Sequence, residues 1–140
     1  MRRIIVLSFG YGFLGNAPDE AHIEEDVRDS LRNPYVKQQR WDWLSEVDGR
    51  YPELKEFVLS TQVAEGCETA QQILDRLARR VIALVATQDE VIVAIGCKAG
   101  RHRSVALAEL LVSLLQSQGY NATFEHRSLK DALEGKPLIY

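Results

Sequence analysis

The chain opens with an uninterrupted apolar run, Ile4-Ile5-Val6-Leu7, bounded by Arg2-Arg3 on one side and by Ser8-Phe9-Gly10-Tyr11-Gly12 on the other. Consecutive β-branched and apolar residues fit a strand buried on both faces, and the glycines beyond it fit a loop at its carboxyl end. Val91-Ile92-Val93-Ala94-Ile95 repeats that pattern. Between the two runs the period changes. Ile73, Leu74, Leu77, Val81, Ile82, Leu84 and Val85 recur at helical spacing behind Thr69 and Gln72, a pair that fits a capping box, and together they predict a long helix. Val105 to Leu115 predicts a second long helix stopped by Gly119, and Ala122 to His126 predicts a further strand. Other signals are shorter. His22 to Arg28 is heavily charged for a strand, yet Ile23 and Val27 fit core-facing positions, with a turn at Asn33-Pro34. A turn at Asp48-Gly49 precedes Pro52 to Leu59, a short helix with proline in its first turn, and Lys130 to Tyr140 fits a short helix plus an ordered end. Strands alternating with helices predict an α/β fold. The expectation is a single-domain, Rossmann-like three-layer sandwich over 1–140, with a mostly parallel sheet of about four strands and right-handed crossovers.

Composition changes this picture little. At 140 residues and 46% hydrophobic, the chain has the size and apolar content of one ordinary domain. A net charge of −3 gives no global attraction to nucleic acid or to an anionic membrane, so a polyanionic partner has to meet a local basic patch. Cys67 and Cys97 have no second pair, which fits a reducing, cytoplasmic setting better than a disulfide framework. Met1-Arg2-Arg3 mimics the start of a signal peptide, but the apolar stretch behind it is too short for an h-region or a membrane span. Glu24-Glu25-Asp26 lacks histidines at ligand spacing, so no metal site is expected and no cofactor is implied.

Open parallel sheets bind ligands beyond the carboxyl ends of their strands. Four segments therefore belong together: Ser8 to Gly12, Asp26 to Asn33, Cys97 to Ser104, and His126-Arg127. The central one, Gly96-Cys97-Lys98-Ala99-Gly100-Arg101-His102-Arg103-Ser104, joins a predicted strand to a predicted helix and reads as an anion cradle. Helix-start amides have no intrahelical acceptor, the helix dipole is positive there, and Lys98, Arg101 and Arg103 add formal charge. His102 either assists a phosphate or caps the helix. Three consecutive side chains cannot all face one ligand, so at least one of Arg101, His102 and Arg103 is expected to point away.

The same run admits a catalytic reading, because Cys97, Gly100, Arg103 and Ser104 fit the Cys-x-x-Gly-x-x-Arg-Ser pattern of cysteine-dependent phosphatases. There the thiolate of Cys97 would attack phosphorus, Arg103 would grip phosphoryl oxygens, and Ser104 would help the thiolate leave. Asp26, Asp29 and Asp48 are the candidate general acids. The non-catalytic reading, recognition of a phosphorylated small molecule or an RNA phosphate, needs fewer coincidences and is preferred. Asp26 and Arg28, two apart on an extended chain, share a face and suit a local ion pair as well as a ligand contact. Trp41 and Trp43 read as half-buried packing residues, with base stacking or a dimer seal as the alternative. The Arg76, Arg79 and Arg80 face of the first long helix reads as solvated, with RNA binding as the alternative.

Gly96 to Val105 resembles the Gly-Cys-Thr-Gly-Gly-x-His-Arg-Ser-Val signature of the C-terminal domain of the RapZ family, the RNase adapter and nucleotide-binding proteins. Ser8-Phe9-Gly10-Tyr11-Gly12, Asp26-Val27-Arg28 with Asn33-Pro34-Tyr35, and His126-Arg127 resemble further segments of that domain in the same order, so the likeness covers nearly the whole chain. Lys98-Ala99 stand where the family has Thr-Gly, and Arg32 where it has proline. No Gly-x-x-x-x-Gly-Lys-Ser/Thr loop is present, so no ATP or GTP site is expected. The resemblance implies an α/β sandwich similar to the sugar-phosphate-binding part of phosphofructokinases. It also implies a sensor of an amino-sugar phosphate with contacts to small regulatory RNAs. Carried over by position, the ligand site comprises Asp26, Arg28, Asn33, Cys97, Gly100, His102, Arg103 and His126. Ser8, Gly10, Lys98, Ala99, Arg101 and Ser104 join them from the strand-end segments. RNA is a candidate partner through a face bearing Arg2, Arg3, Arg101, Arg127 and Lys130, and self-association into a homo-oligomer is expected.

Overall fold

The computed structural model describes residues 2–31, 47–60 and 66–140. Asn33, Pro34, Trp41 and Trp43, and the readings that rest on them, lie outside the described residues. Among the described residues nine elements follow one another: β1 (Arg3–Gly10), α1 (Tyr11–Leu14), β2 (Ile23–Asp26), α2 (Pro52–Ser60), α3 (Ala70–Val85), β3 (Glu90–Cys97), α4 (Arg103–Ser117), β4 (Ala122–His126) and α5 (Leu129–Leu133). The four strands form an all-parallel sheet in the order β2-β3-β1-β4, the small α/β fold expected from the alternation of periods.

Strand order fixes which face each connection covers. The path from β1 to β2 crosses β3 in one direction along the sheet, while β2 to β3 and β3 to β4 run in the other. Right-handed crossovers therefore send the first connection to one face and the later two to the opposite face. The packing agrees. Ile4, Val6, Val91, Val93 and Ile95 pack with α3 and α4 residues such as Leu77, Val81, Leu107 and Leu111 in the larger core. Leu7, Phe9, Ile92 and Ala94 pack with Tyr11, Ala17 and Ala21 in the smaller one. This second layer is thin because the 11–22 stretch is too short to hold a long helix and two loops.

Local chemistry explains the elements. Thr69 Oγ1 accepts from the Gln72 amide at 3.2 Å, and Gln72 Oε1 accepts from the Thr69 amide at 2.8 Å, so the capping box that starts α3 is complete. At the far end of α4, Gly119 takes a φ of +90°, the left-handed conformation that stops a helix. Arg76 is not a solvated arginine. Its guanidinium is bidentate to Glu25 on β2 and to Glu68, clamping α3 to the edge strand, while Arg79 and Arg80 are exposed as expected. Among the described residues no helix is long and apolar enough to cross a membrane.

Candidate ligand cleft at the switch point

β1 and β3 lie side by side with Gly10 opposite Cys97, and their chains leave toward opposite faces of the sheet. That divergence opens a crevice, the usual ligand position in an open α/β sheet. A cavity of about 310 Å³ occupies it, lined by Phe13 of α1, by Cys97, Lys98, Ala99, Arg101, His102 and Arg103, and by Ala132, Lys136 and Leu138. All formal charge among these lining residues is positive, in a chain whose total is negative.

The floor is rigid for a steric reason. Gly100 has φ +69°, and a Cβ there would lie 2.7 Å from the Gly10 nitrogen; a Cβ on Gly10 would lie 2.6 Å from the Ala99 carbonyl carbon. Only two glycines let these backbones touch. Ser128 Oγ accepts from the Gly10 amide at 2.9 Å, and the Gly12 amide donates to the Lys98 carbonyl at 2.8 Å, tying the 98–100 turn to β1 and α1.

Arg101, His102 and Arg103 diverge, as the run of three required. Arg101 Nε donates to the Val47 carbonyl at 3.2 Å, and His102 Nε2 lies 3.1 Å from the same oxygen, which makes Nε2 the protonated nitrogen. His102 occupies the N-cap position of α4 without a side-chain capping bond. Arg103 is 4% exposed. Its Nη1 donates to the carbonyls of Arg28 (3.0 Å) and Leu31 (3.1 Å), with that of Val27 at 3.4 Å, so the guanidinium pins the turn after β2 instead of reaching into the cleft. Cys97 is buried, its sulfur 3.1 Å from Ser104 Oγ. Arg103 lacks the posture that the phosphatase reading requires of it, whereas Cys97 lines the cavity with Ser104 Oγ at its sulfur, as that reading expects.

The other candidates separate into two neighbouring groups that do not line the cavity. Asp26 and Arg28 form the local ion pair, with Nη2 to Oδ2 at 2.6 Å. The Arg28 hydrogen bond holds the Asp26 carboxyl below its usual range against partial burial. Arg28 also lies over the Tyr11 ring, 3.8 Å from its centre. The Tyr11 hydroxyl is held protonated well above its ordinary range, by burial first and then by its hydrogen bond to Glu24. Asp29 is exposed.

The second group was half visible in the sequence. Ser8 sits opposite His126 in the sheet, and its Oγ lies 2.6 Å from His126 Nδ1; His126 Nε2 lies 2.8 Å from Glu109 Oε2, and Lys55 Nζ donates to Glu109 Oε1 at 2.8 Å. A carboxylate can only accept, so Nε2 carries a proton, and in the neutral tautomer of the ring Nδ1 accepts from the Ser8 hydroxyl. This chain ties β1 and β4 to α4 and α2. Ser8 is fully buried, so the chain holds strand ends together. Sequence reasoning missed Glu109, although with Arg103 it is one of two charged residues in α4. It also missed Phe13, Ala132, Lys136 and Leu138, which come from elements that carry no motif.

Asp48 is 2% exposed and chelated by Arg50 through its amide, Nε and Nη2 at 2.8 to 2.9 Å. Burial opposes its ionisation, but the Arg50 bonds and the charge of Arg101 outweigh that and leave its pKa lowered. The expected basic face does not form as one surface. Arg2 and Arg3 sit at the amino ends of the strands, paired with Asp89 and Glu90. Arg101, Arg127 and Lys130 lie at the carboxyl ends, about 26 Å away for a strand of eight residues. Arg127 is paired with Glu125 and Glu20.

Sheet order and cleft together define a parallel α/β domain with a cationic cleft at its topological switch point. Residues 2–130 match the family model described as the RapZ C-terminal domain, and the chain belongs to that family. It is 35% identical over 128 residues to a nucleotide-binding protein of Lachnoclostridium phytofermentans, an alignment covering 91% of this chain and 42% of the relative. It is 36% identical over 139 residues to a protein of the same description from Sphingopyxis alaskensis, covering 94% and 40%. A third, from Caldicellulosiruptor bescii, is 31% identical over 137 residues, covering 94% and 43%. The chain thus spans about two fifths of the length of these curated relatives.

Proposed function

We propose that this domain binds a small phosphorylated metabolite, a sugar or amino-sugar phosphate, in the switch-point cleft and acts as a sensor. The observation that carries the reading is the cleft's charge. A chain of net charge −3 brings Lys98, Arg101 and Lys136 to one cavity with no carboxylate among its lining residues, beside the amino end of a fifteen-residue helix whose Arg103 is held against backbone carbonyls. Cations, helix-start amides and the helix dipole all favour an anion there. The volume, about 310 Å³, lies at the small end of ligand sites, which run from about 300 to 1,000 Å³. Phe13 and Leu138 supply an apolar wall for the rest of the molecule. The description carried by the relatives makes a nucleotide phosphate the competing member of the same ligand class.

Thermal unfolding with a panel of hexose phosphates, amino-sugar phosphates, nucleotides, phosphate and sulfate tests the proposal. A ligand at a hundredfold over its Kd adds about 2.7 kcal/mol, a rise of about 10 °C in a domain of this size. Lys98→Ala is the appropriate control because Arg103 holds the fold. Selective stabilisation by one sugar phosphate, lost in Lys98→Ala, supports the reading; no stabilisation by any compound overturns it. The phosphatase alternative loses support because Arg103 is engaged with backbone carbonyls. Cytoplasmic location fits two unpaired cysteines, Cys67 exposed and Cys97 buried. RNA contact and self-association, both part of the family expectation, are read by salt-dependent RNA binding and by sedimentation with and without the ligand.

A further inference from the structure

The two edges of the sheet differ in kind. β2 runs Glu24-Glu25-Asp26, and charge along an edge opposes pairing with another strand. β4 reads Ala122-Thr123-Phe124-Glu125-His126, with neither proline nor lysine to block its edge. Its register fixes which backbone groups point outward. Ile4 donates to the Asn121 carbonyl and Arg127 donates to the Ser8 carbonyl, so residues 121, 123, 125 and 127 address β1, while Ala122, Phe124 and His126 turn their N–H and C=O groups away from the sheet. Gln116 caps the Ala122 carbonyl at 3.0 Å, but among the described residues nothing meets the outward groups of Phe124. Its ring is 46% exposed and stacks on His126, with centres 4.9 Å apart.

We propose that β4 is the interface at which two copies of this chain pair, edge to edge and antiparallel, about a two-fold axis at Phe124. Such pairing joins outward-facing residues to outward-facing residues, which leaves few registers. With Phe124 opposite Phe124 of the second copy, Ala122 faces His126 and Thr123 faces Glu125, so the rings meet at the axis and no like charges are opposed. Placing Phe124 opposite His126 would set Glu125 against Glu125, which is destabilising, and placing it opposite Ala122 would lose the aromatic pair. The helix above leaves room for this. The flank of α4 over β4 carries Glu109, Ser113 and Gln116, and Glu109 is already bonded to Lys55 and His126. Two four-stranded sheets become one, with the clefts at opposite ends and both open. The inference gives the self-association named above a surface, and it holds or fails independently of the ligand.

Sedimentation velocity of the 140-residue chain across a concentration series tests it. A reversible dimer is expected. Phe124→Lys sets two ammonium groups at the axis and removes both rings, and is expected to raise the dimer Kd about a hundredfold or more. Phe124→Thr keeps a strand-forming residue, so the fold is retained, and is expected to raise Kd about tenfold or more. In a Cys67→Ser background, Phe124→Cys is expected to cross-link on mild oxidation, because directly opposed residues lie about 5.5 Å apart between Cα atoms, within the span of a disulfide. Thr123→Cys, set beyond about 7 Å from its copy, is expected to stay unlinked. A chain that is monomeric at every concentration overturns the proposal. So does a dimer whose Kd is unchanged in Phe124→Thr, or one that links through Thr123→Cys and not through Phe124→Cys. None of these results bears on stabilisation of the chain by phosphorylated compounds, which tests the cleft separately.

Discussion

Replacing Arg103 tests most directly how the cleft is held. Nη1 carries two N–H groups and has two carbonyls at hydrogen-bonding distance, those of Arg28 and Leu31, with the Val27 carbonyl at the margin. Hydrogen bonds with one charged partner contribute about 1.5 to 3 kcal/mol each, so two give roughly 3 to 6 kcal/mol. Burying a guanidinium costs part of that, and the apolar replacement regains the cost. A net loss of about 3 kcal/mol is expected for Arg103→Ala. With an m-value of about 2 kcal/mol/M, the urea midpoint falls by about 1.5 M, read by far-UV circular dichroism. Arg103→Met retains the stem and lacks the donor, and should lose nearly as much. Arg103→Lys should recover no more than one bond, since an ammonium on a shorter reach cannot reproduce the planar fork. An Arg103→Met protein within about 0.5 kcal/mol of wild type at unchanged m would mean that the carbonyls of the 27–31 turn do not depend on this side chain, and the reasoning would be wrong. The same result would return Arg103 to the list of ligand-facing groups.

Gly100→Ala combines a positive φ with backbone contact at 2.7 Å, and should destabilise by about 2 to 4 kcal/mol in the same urea assay. Gly66→Ala, with a positive φ but open space around it, is expected to show the smaller effect. Thr69→Ala should cost about 1 kcal/mol through loss of the α3 cap, measured as a lower midpoint with the cleft's ligand response intact. Asp48 gives a pH dependence of known sign. Its folded pKa lies below its unfolded value, so its pairing contributes fully at neutral pH and is lost as pH falls from about 4 through the folded value. Asp48→Asn should flatten that part of the acid limb, and an unchanged limb in the mutant would exclude the pairing as its cause.

Much of the fold could be read from local signals because they did not depend on distant partners. β3, α3 and α4 each carry a periodicity, a cap or a stop in their own residues, and the structure places all three as expected. β2 was harder, since Glu24 and Glu25 make it look like a loop. Its identity comes from pairing with β3 and from Arg76 reaching across to Glu25, both long-range events. The cleft loop was visible as a motif, but the direction of each side chain was not. Arg103 looks like a ligand group in sequence and acts as a clamp because the turn after β2 brings backbone carbonyls to its tip. Glu109 and Lys55 are two turns and two elements away from the motif, and only the sheet order brings them to His126. Leu138 and Lys136 lie in a tail without pattern, and their position follows from the Gly12 carbonyl that receives it.

The contact between Gly10 and Gly100 has an evolutionary consequence. Residues that shape the base of the cleft also hold two strands together, so a change there is paid in stability before it alters binding. Residues 136–140 carry no such burden, because Ile139 and Tyr140 are exposed and lie outside the core clusters. Substitutions at 136–140 can therefore reshape the rim of the cleft while the Gly10–Gly100 contact stays constant, and libraries that vary only those five positions should yield folded variants.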